Sequence, residues 1–69
     1  MPIYLAETGK DLEIIRITGT DKIKKHLENL GFIVGEKIQV VNKVNENLIV
    51  KIKGVSMALS VELARRILV

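Results

Sequence analysis

The side chains that could do chemistry are few and lie far apart in the sequence. The 69 residues contain one histidine, His26, and no cysteine. A transition-metal site needs several His, Cys or carboxylate ligands at close spacing. The eight carboxylates do not provide such a group, because they are scattered as Glu7, Asp11, Glu13, Asp21, Glu28, Glu36, Glu46 and Glu62. The residues themselves therefore predict no metal site, and we expect His26 to be a solvated side chain.

The same scatter argues against an enzyme. No two carboxylates stand at helical spacing in an apolar setting, where one could act as general acid and the other as general base. Ser56 and Ser60 have no recognisable base or acid partner that could activate a hydroxyl group. The glycines do not form the phosphate-binding pattern G-x-x-x-x-G-K-[ST]. We predict no catalytic residues, no bound cofactor and no enzymatic activity.

Basic residues form two groups, one on a predicted helix and one on predicted strands: Lys22, Lys24 and Lys25, and Lys43, Lys51 and Lys53. One interpretation is that these lysines are solvated and protect strand edges from pairing with other chains. The other is that they form a surface that binds nucleic acid. Small barrels that bind nucleic acid usually stack bases on aromatic side chains. This chain has only Tyr4 and Phe32, and its net charge is +3. We therefore expect no specific nucleic-acid partner, and only weak binding that disappears near physiological ionic strength.

Length and composition predict one small domain over residues 1–69. Hydrophobic residues make up 48% of the chain and aromatic residues only 3%, and the mean hydropathy is +0.28. A chain of this size buries only about 60% of its unfolded surface, so some apolar surface is expected to face a partner. No apolar run reaches the ~18 residues of a membrane span, and no basic segment followed by an apolar core begins the chain. We expect a cytoplasmic protein without direct membrane insertion.

Hydrophobic periodicity predicts one strand and one full helix in the first half of the chain. Asp11–Ile17 is rich in β-branched residues, and alternation places Ile15 and Ile17 on one face and Leu12 and Ile14 on the other. The range 20–30 has the 3.6-residue period of a surface helix, with Thr20 as its N-cap. Its apolar stripe is expected to be Ile23, Leu27 and Leu30.

The second half of the chain has the two-residue period of short strands. Strands are predicted at 37–44, 48–53, 55–59 and 67–69, with Asn45 to Asn47 as a hairpin loop. Ser60 is expected to cap one helical turn at 61–65. Five short antiparallel strands are best closed as a small barrel, because closure leaves no exposed edge. The predicted fold is mainly β, a small antiparallel barrel with one inserted α-helix and a short C-terminal helical turn.

Two glycines mark the passage from the helix to the second strand. Gly31 follows the last apolar residue of the helical pattern, where a left-handed C-terminal cap is expected. Gly35 then reverses the chain before Ile38 and Val40 begin the strand pattern. We assign a structural role to both glycines and call residues 31–35 the elbow.

The order of these motifs resembles the ferrous-iron transport protein A (FeoA) family, in its stand-alone small form. The resemblance covers nearly the whole chain, and its most specific part is the pattern L-x-x-L-G-[apolar]-x-x-G from Leu27 to Gly35. Supporting segments are L-A-E-T-G-K at 5–10, I-I-R-I at 14–17, L-I-V-K-I-K-G at 48–54, M-A-L at 57–59 and E-L-A-R-R-I-L-V at 62–69.

This resemblance implies a fold and a partner. The fold is an SH3-like barrel, and the protein would be a cytosolic accessory of ferrous-iron transport protein B, a membrane permease with a cytoplasmic GTPase domain. Recruitment to the inner face of the membrane by that partner is implied as well. Family members are described as binding transition metal ions. A related domain forms the C-terminal part of iron-dependent repressors of the diphtheria-toxin-repressor type. The alternative function is therefore that of a regulatory or nucleic-acid-binding module.

We expect the docking surface for this partner at the elbow. The predicted residues are Phe32, Ile33 and Val34, flanked by Lys22 and Lys25 from the helix. An exposed apolar patch binds a partner, and nearby cations steer an anionic one. The alternative for Phe32 and for Val34 is that each side chain completes the core.

Overall fold

The computed structural model describes residues 1–69 and is mainly β. Its elements, in chain order, are a 3-10 helix at Ile3–Leu5, β1 at Asp11–Glu13, β2 at Arg16–Ile17, α1 at Asp21–Asn29, β3 at Lys37–Val44, β4 at Asn47–Ile52, β5 at Val55–Ser60, α2 at Val61–Ala64 and β6 at Ile67–Leu68. All strand pairs are antiparallel. One sheet has the order β1-β3-β4-β5 and the other pairs β2 with β6. The predicted fold class is confirmed, with six strands in place of five. The expected absence of exposed edges was wrong, because β1 and β5 remain the edges of the four-stranded sheet.

The additional strand arises because the predicted strand 11–17 is divided at Ile14 and Ile15. β1 pairs with β3 in the large sheet, whereas β2 pairs with β6 in the small one. The change of sheet interrupts the alternation of side chains. Ile14 is fully buried, Ile17 packs against the core and Ile15 is exposed. The prediction that Ile15 and Ile17 share a face was therefore wrong.

The helix α1 begins and ends close to its predicted limits. The Thr20 side chain accepts a hydrogen bond from the Ile23 amide at 3.3 Å, so the predicted N-cap is confirmed. Leu27 is fully buried and Ile23 packs against the core. Leu30 is 40% exposed, which contradicts its predicted place in the buried stripe. It is the C-cap residue, and the next residue that enters the core is Phe32, beyond Gly31.

The strands β3, β4 and β5 form a meander that covers the core on one side. Leu48, Val50 and Ile52 of β4 are buried, as their alternation predicted. The register of β3 against β4 shifts between Val40 and Asn42, so Val41 is an extra residue in a β-bulge and is exposed. The bulge lies opposite the middle of β4, and the pairing continues on both sides of it.

The two ends of the chain close the structure against each other. The Val69 amide donates a hydrogen bond to the Met1 carbonyl at 2.8 Å, and Pro2 forms an isolated bridge with Leu68. The 3-10 helix, which the sequence did not indicate, places Ile3 in the core with no exposed surface. At the other end, the Ser60 hydroxyl accepts a hydrogen bond from the Leu63 amide at 3.4 Å, so the predicted cap of α2 is confirmed.

Candidate functional site

The elbow leaves α1 through two backbone hydrogen bonds that satisfy the helix C-terminus. The Phe32 amide donates to the Leu27 carbonyl at 3.0 Å and the Gly31 amide donates to the Glu28 carbonyl at 2.9 Å. This pair of bonds is a Schellman motif, and it requires a left-handed residue after the helix. Gly31 has φ +102°, as the sequence predicted. The direction of the elbow is therefore set by the end of the helix.

The far end of the elbow is a turn bound to the chain between β1 and β2. The Glu36 amide donates to the Ile33 carbonyl at 3.0 Å, and Gly35 takes the positive φ of +92° that such a turn requires at its third residue. The Gly35 amide donates to the Ile14 carbonyl at 2.7 Å, and the Ile14 amide donates to the Glu36 carbonyl at 3.0 Å. These bonds hold the elbow beside the point where the chain changes sheets.

A groove of about 490 Å³ lies between the elbow, the chain at 15–17 and α1. We call it the elbow groove. Its exposed aliphatic side chains are Ile15, Ile33 and Val34, which are 58%, 45% and 58% exposed. Phe32 forms the floor without any exposed surface. The three exposed side chains come from two segments that the backbone bonds of Ile14 and the adjoining pairing of β1 with β3 bring together.

Charged side chains border the elbow groove on two sides. Arg16 lies on the β2 side, and Lys24 and Glu28 lie on the α1 side. None of the three belongs to an ion pair, since the ion pairs of the structure are Lys10–Glu7 and Lys53–Glu36. The groove therefore offers an apolar surface next to two cations and one anion, all free to meet a partner.

The residues predicted to form the docking surface are only partly brought together. Ile33 and Val34 are exposed in the elbow groove, and Phe32 is buried beneath it, so Phe32 presents no surface to a partner. Lys22 and Lys25 are exposed but do not line the groove. At about 100° per residue they lie on the side of α1 opposite the buried Leu27, whereas Lys24 and Glu28 lie beside the elbow.

Sequence reasoning missed the groove residues that lie outside the elbow, which are Ile15, Arg16, Ile17, Lys24 and Glu28. The exposed aliphatic side chain among them is Ile15. A single strand over 11–17 placed it on the same face as Ile17, and its exposure comes from the change of sheet. The signal in the sequence is the pair Ile14-Ile15, because two successive aliphatics in a strand with one buried face leave one of them outside.

The groove and the rest of the surface hold no cluster of metal-ligating side chains. Nowhere do three or more His, Asp or Glu side chains lie close enough together to bind one metal ion. No buried polar side-chain atom lacks a hydrogen-bond partner. The arrangement is suited to binding a protein surface, and the prediction that the chain has no metal site stays a prediction.

The sequence matches the family model described as the FeoA domain over residues 1–69. This chain belongs to the FeoA family. The family is one of accessory domains associated with ferrous-iron transport. No curated protein matches the sequence.

Solved FeoA structures share the fold of this FeoA chain. It is similar to the crystal structure of an iron uptake regulatory protein (FeoA), with 25% identity, a TM-score of 0.88 and coverage of 97% of this chain and 91% of that one. It is also similar to the FeoA of Stenotrophomonas maltophilia, which was crystallised with zinc and described as a prokaryotic SH3 domain protein (24% identity, TM-score 0.83, 99% and 87% coverage). The fold is therefore the SH3-like fold that the sequence predicted.

A metal-dependent repressor shares this fold as well. A manganese-dependent transcriptional repressor aligns with 97% of this FeoA chain and 39% of its own length, with a TM-score of 0.87 and 14% identity. At that identity the likeness concerns the fold alone, and it does not favour a repressor role for this chain. None of the helices in this FeoA protein has the length and apolar character needed to cross a membrane.

Proposed function

We propose that this FeoA-family protein is a non-enzymatic cytosolic accessory of bacterial ferrous-iron uptake, and that it docks on ferrous-iron transport protein B. That partner is the membrane permease with a cytoplasmic GTPase domain, and binding to it recruits this protein to the inner face of the membrane. The family supports the association with ferrous-iron transport. The related FeoA of Stenotrophomonas maltophilia, proposed as an activating factor of ferrous-iron transport, supports the same role.

The observation that carries the proposal is the elbow groove. Ile15, Ile33 and Val34 are large aliphatic side chains that remain exposed although the core lies directly below them. Their backbone is held by the hydrogen bonds of Ile14 with Gly35 and Glu36, so little backbone conformational entropy is lost when a partner covers them. Rigid exposed apolar surface of this kind is typical of an interaction site.

The size of the groove limits how much it contributes to binding. Covering each half-exposed aliphatic side chain contributes about 1 kcal/mol, so the three together contribute about 3 kcal/mol. A micromolar complex requires about 8 kcal/mol. The groove is thus the apolar centre of a larger interface, and Arg16 and Lys24 at its border increase the association rate with an acidic partner surface.

The test is to place a charge in the groove. Ile33→Asp and Val34→Asp each put a carboxylate into the apolar centre while leaving the core unchanged, because both residues are exposed. We expect binding to the purified cytoplasmic domain of ferrous-iron transport protein B, measured by titration calorimetry, to weaken at least about tenfold. Uptake of ferrous iron by cells that carry either variant should fall in parallel.

Val44→Asp is the matched control. Val44 is 45% exposed, like Ile33, but lies at the end of β3 and does not line the groove. This variant should bind as the unmodified protein does, and circular dichroism should show that all three variants are folded. If Ile33→Asp and Val34→Asp retain full binding and full iron uptake, the docking hypothesis fails for this surface.

A further inference from the structure

The strand β5 is an unprotected edge of the four-stranded sheet. It pairs with β4 on one side and with no strand on the other. Its six residues, V-S-M-A-L-S, include no charged residue and no proline. The opposite edge, β1, has three residues, of which Asp11 and Glu13 are charged. Proteins commonly protect an edge with charge, proline or a short strand, because an open edge binds other strands. β1 has two of these protections and β5 has none.

The register shows which backbone groups of β5 are free. Lys53 and Gly54, with φ of +51° and +78°, form a two-residue turn between β4 and β5, so Ile52 and Val55 are its closing hydrogen-bonded pair. Hydrogen-bonded pairs alternate along an antiparallel ladder. The N–H and C=O groups of Ser56 and Ala58 therefore point away from β4. No other backbone group of the protein bonds to them, and both residues are exposed.

Lys51 is the one charged residue of β4, the strand that pairs with this edge. On the outer face of the sheet, Lys51 of β4 lies between Gln39 of β3 and Ser56 of β5. Asp11 lies in the same row beyond Gln39 but forms no ion pair with Lys51. Lys51 is exposed and belongs to no ion pair. Lys37, by contrast, faces Glu13 across the strands. Glu46 and Glu62 lie at the far end of β5, next to Ser60. A carboxylate on a strand added next to β5 lies two strands from Lys51, on the other side of the small Ser56, at a backbone separation of about 10 Å. The long side chains of lysine and glutamate can span this separation.

We propose that the β5 edge binds an extended acidic segment of a partner protein, which adds to the sheet as a further strand. The main chain of the segment bonds to Ser56 and Ala58. Side chains that face outward are acidic and pair with Lys51. Side chains on the other face are apolar and lie beside Val55, which is 56% exposed, and Met57, which packs against the core. The edge shares no residue with the elbow groove, so this site is independent of the function proposed above.

A second copy of the chain is a poorer occupant than a separate segment. Six residues of strand extend about 20 Å, and pairing two such edges covers less than the roughly 1,200 Å² that stable interfaces need. An extended peptide that leaves its own fold needs no such area, because main-chain hydrogen bonds and a few side-chain contacts give transient binding.

The probe is a blocked hexapeptide of alternating glutamate and valine. Added to the full-length ¹⁵N-labelled protein, it should shift the amide resonances of Ser56 and Ala58 in a saturable manner and slow the hydrogen exchange of both amides. A peptide of alternating lysine and valine should bind several-fold more weakly. The Lys51→Gln variant should lose this preference between the two peptides, and high salt should reduce the preference in the unmodified protein.

Ala58→Pro tests the main-chain contact. The Ala58 N–H points outward, so proline removes no bond of the β4–β5 ladder but blocks an added strand. We expect the acidic peptide to bind at least about tenfold more weakly to this variant. Ala58→Ser, which keeps the N–H, should bind as the unmodified protein does.

Three results would overturn the proposal. Unchanged affinity in Ala58→Pro would exclude main-chain pairing at this edge. Unshifted resonances at Ser56 and Ala58 in the unmodified protein would do the same, and this measurement decides the question even if the proline variant does not fold. A dimer in analytical ultracentrifugation that becomes a monomer in Ala58→Pro would show that a second copy occupies the edge.

Discussion

At the scale of single residues, Gly31 determines where the chain goes after α1. Its φ of +102° closes the Schellman motif and turns Phe32 into the core, directly after an exposed Leu30. This conformation sets the direction in which the chain enters the elbow, and the hydrogen bonds of Gly35 and Glu36 with Ile14 then hold Ile33 and Val34 at the surface.

Replacing Gly31 by alanine should lower the free energy of unfolding by about 1 kcal/mol, because a left-handed backbone is strained in any residue with a Cβ atom. Steric contact adds nothing, since no heavy atom lies within 4 Å of a Cβ built at Gly31. Chemical denaturation followed by circular dichroism measures the change. Gly31→Asn is the matched variant, and it should lose less, because asparagine adopts positive φ more readily. Equal midpoints for the glycine and alanine proteins would show that the cap contributes no stability.

The residues of the elbow also show where a sequence pattern stops being informative. Gly31 and Gly35 were identified correctly because a left-handed position after a helix and a turn before a strand are local features. Whether Phe32, Ile33 or Val34 would be buried depends on which side of the elbow faces the core, and that is decided by the hydrogen bonds of Ile14 with Gly35 and Glu36. Those partners are about twenty residues apart in the chain, so no local pattern reports them.

At the scale of elements, the limits that the sequence predicts most accurately are those set by residues nearby in the chain. The limits of α1 and of β3 to β5 agree with the sequence prediction within about one residue, because caps and hairpin turns mark them. The strand 11–17 was predicted as one element because its composition is continuous. Its division depends on pairing with β3 on one side and β6 on the other. The 3-10 helix, in which Ile3 alone is buried, depends likewise on contacts with the distant end of the chain.

The two sheets should differ in their resistance to local opening. The Val50 amide lies in the middle of the four-stranded sheet, whereas the Thr18 amide bonds to the Arg66 carbonyl at the end of a pair of two-residue strands. Opening the small sheet breaks few bonds, so native-state hydrogen exchange should be at least about tenfold faster at Thr18 than at Val50. Equal rates at the two amides would mean that both sheets open together as one cooperative unit.

At the scale of the whole molecule, the distribution of ligand-type side chains argues against metal binding by the isolated protein. The single His26 is exposed on α1, and no group of three or more His, Asp or Glu side chains comes together. Calorimetric titration with ferrous iron or with zinc should therefore show no saturable site of micromolar affinity, since such affinity needs several ligands at set distances. The FeoA of Stenotrophomonas maltophilia, crystallised with zinc, is a suitable comparison in the same assay.

The contradicting result is one-to-one binding of either metal that is lost in His26→Ala. Glu28→Gln provides the matched control, because Glu28 lies on the same helix and also carries a potential ligand. If binding is lost in His26→Ala but kept in Glu28→Gln, His26 must share the metal ion with ligands that do not lie near it in this structure. A second copy of the chain could supply them.

The meeting of the two chain ends has a consequence for how the molecule folds. Pairing Pro2 with Leu68 closes a loop of nearly the whole chain, and the entropy of closing a loop rises with its length. If the ends were covalently joined and the chain were opened at the exposed turn of Asn45 and Glu46, this pairing would become a local step. The β3–β4 hairpin would then become the distant one. Such a circularly permuted chain would keep the strand pairing of the native structure. The pairing of Pro2 with Leu68 would then be the easier contact to form, and the β3–β4 hairpin the harder one.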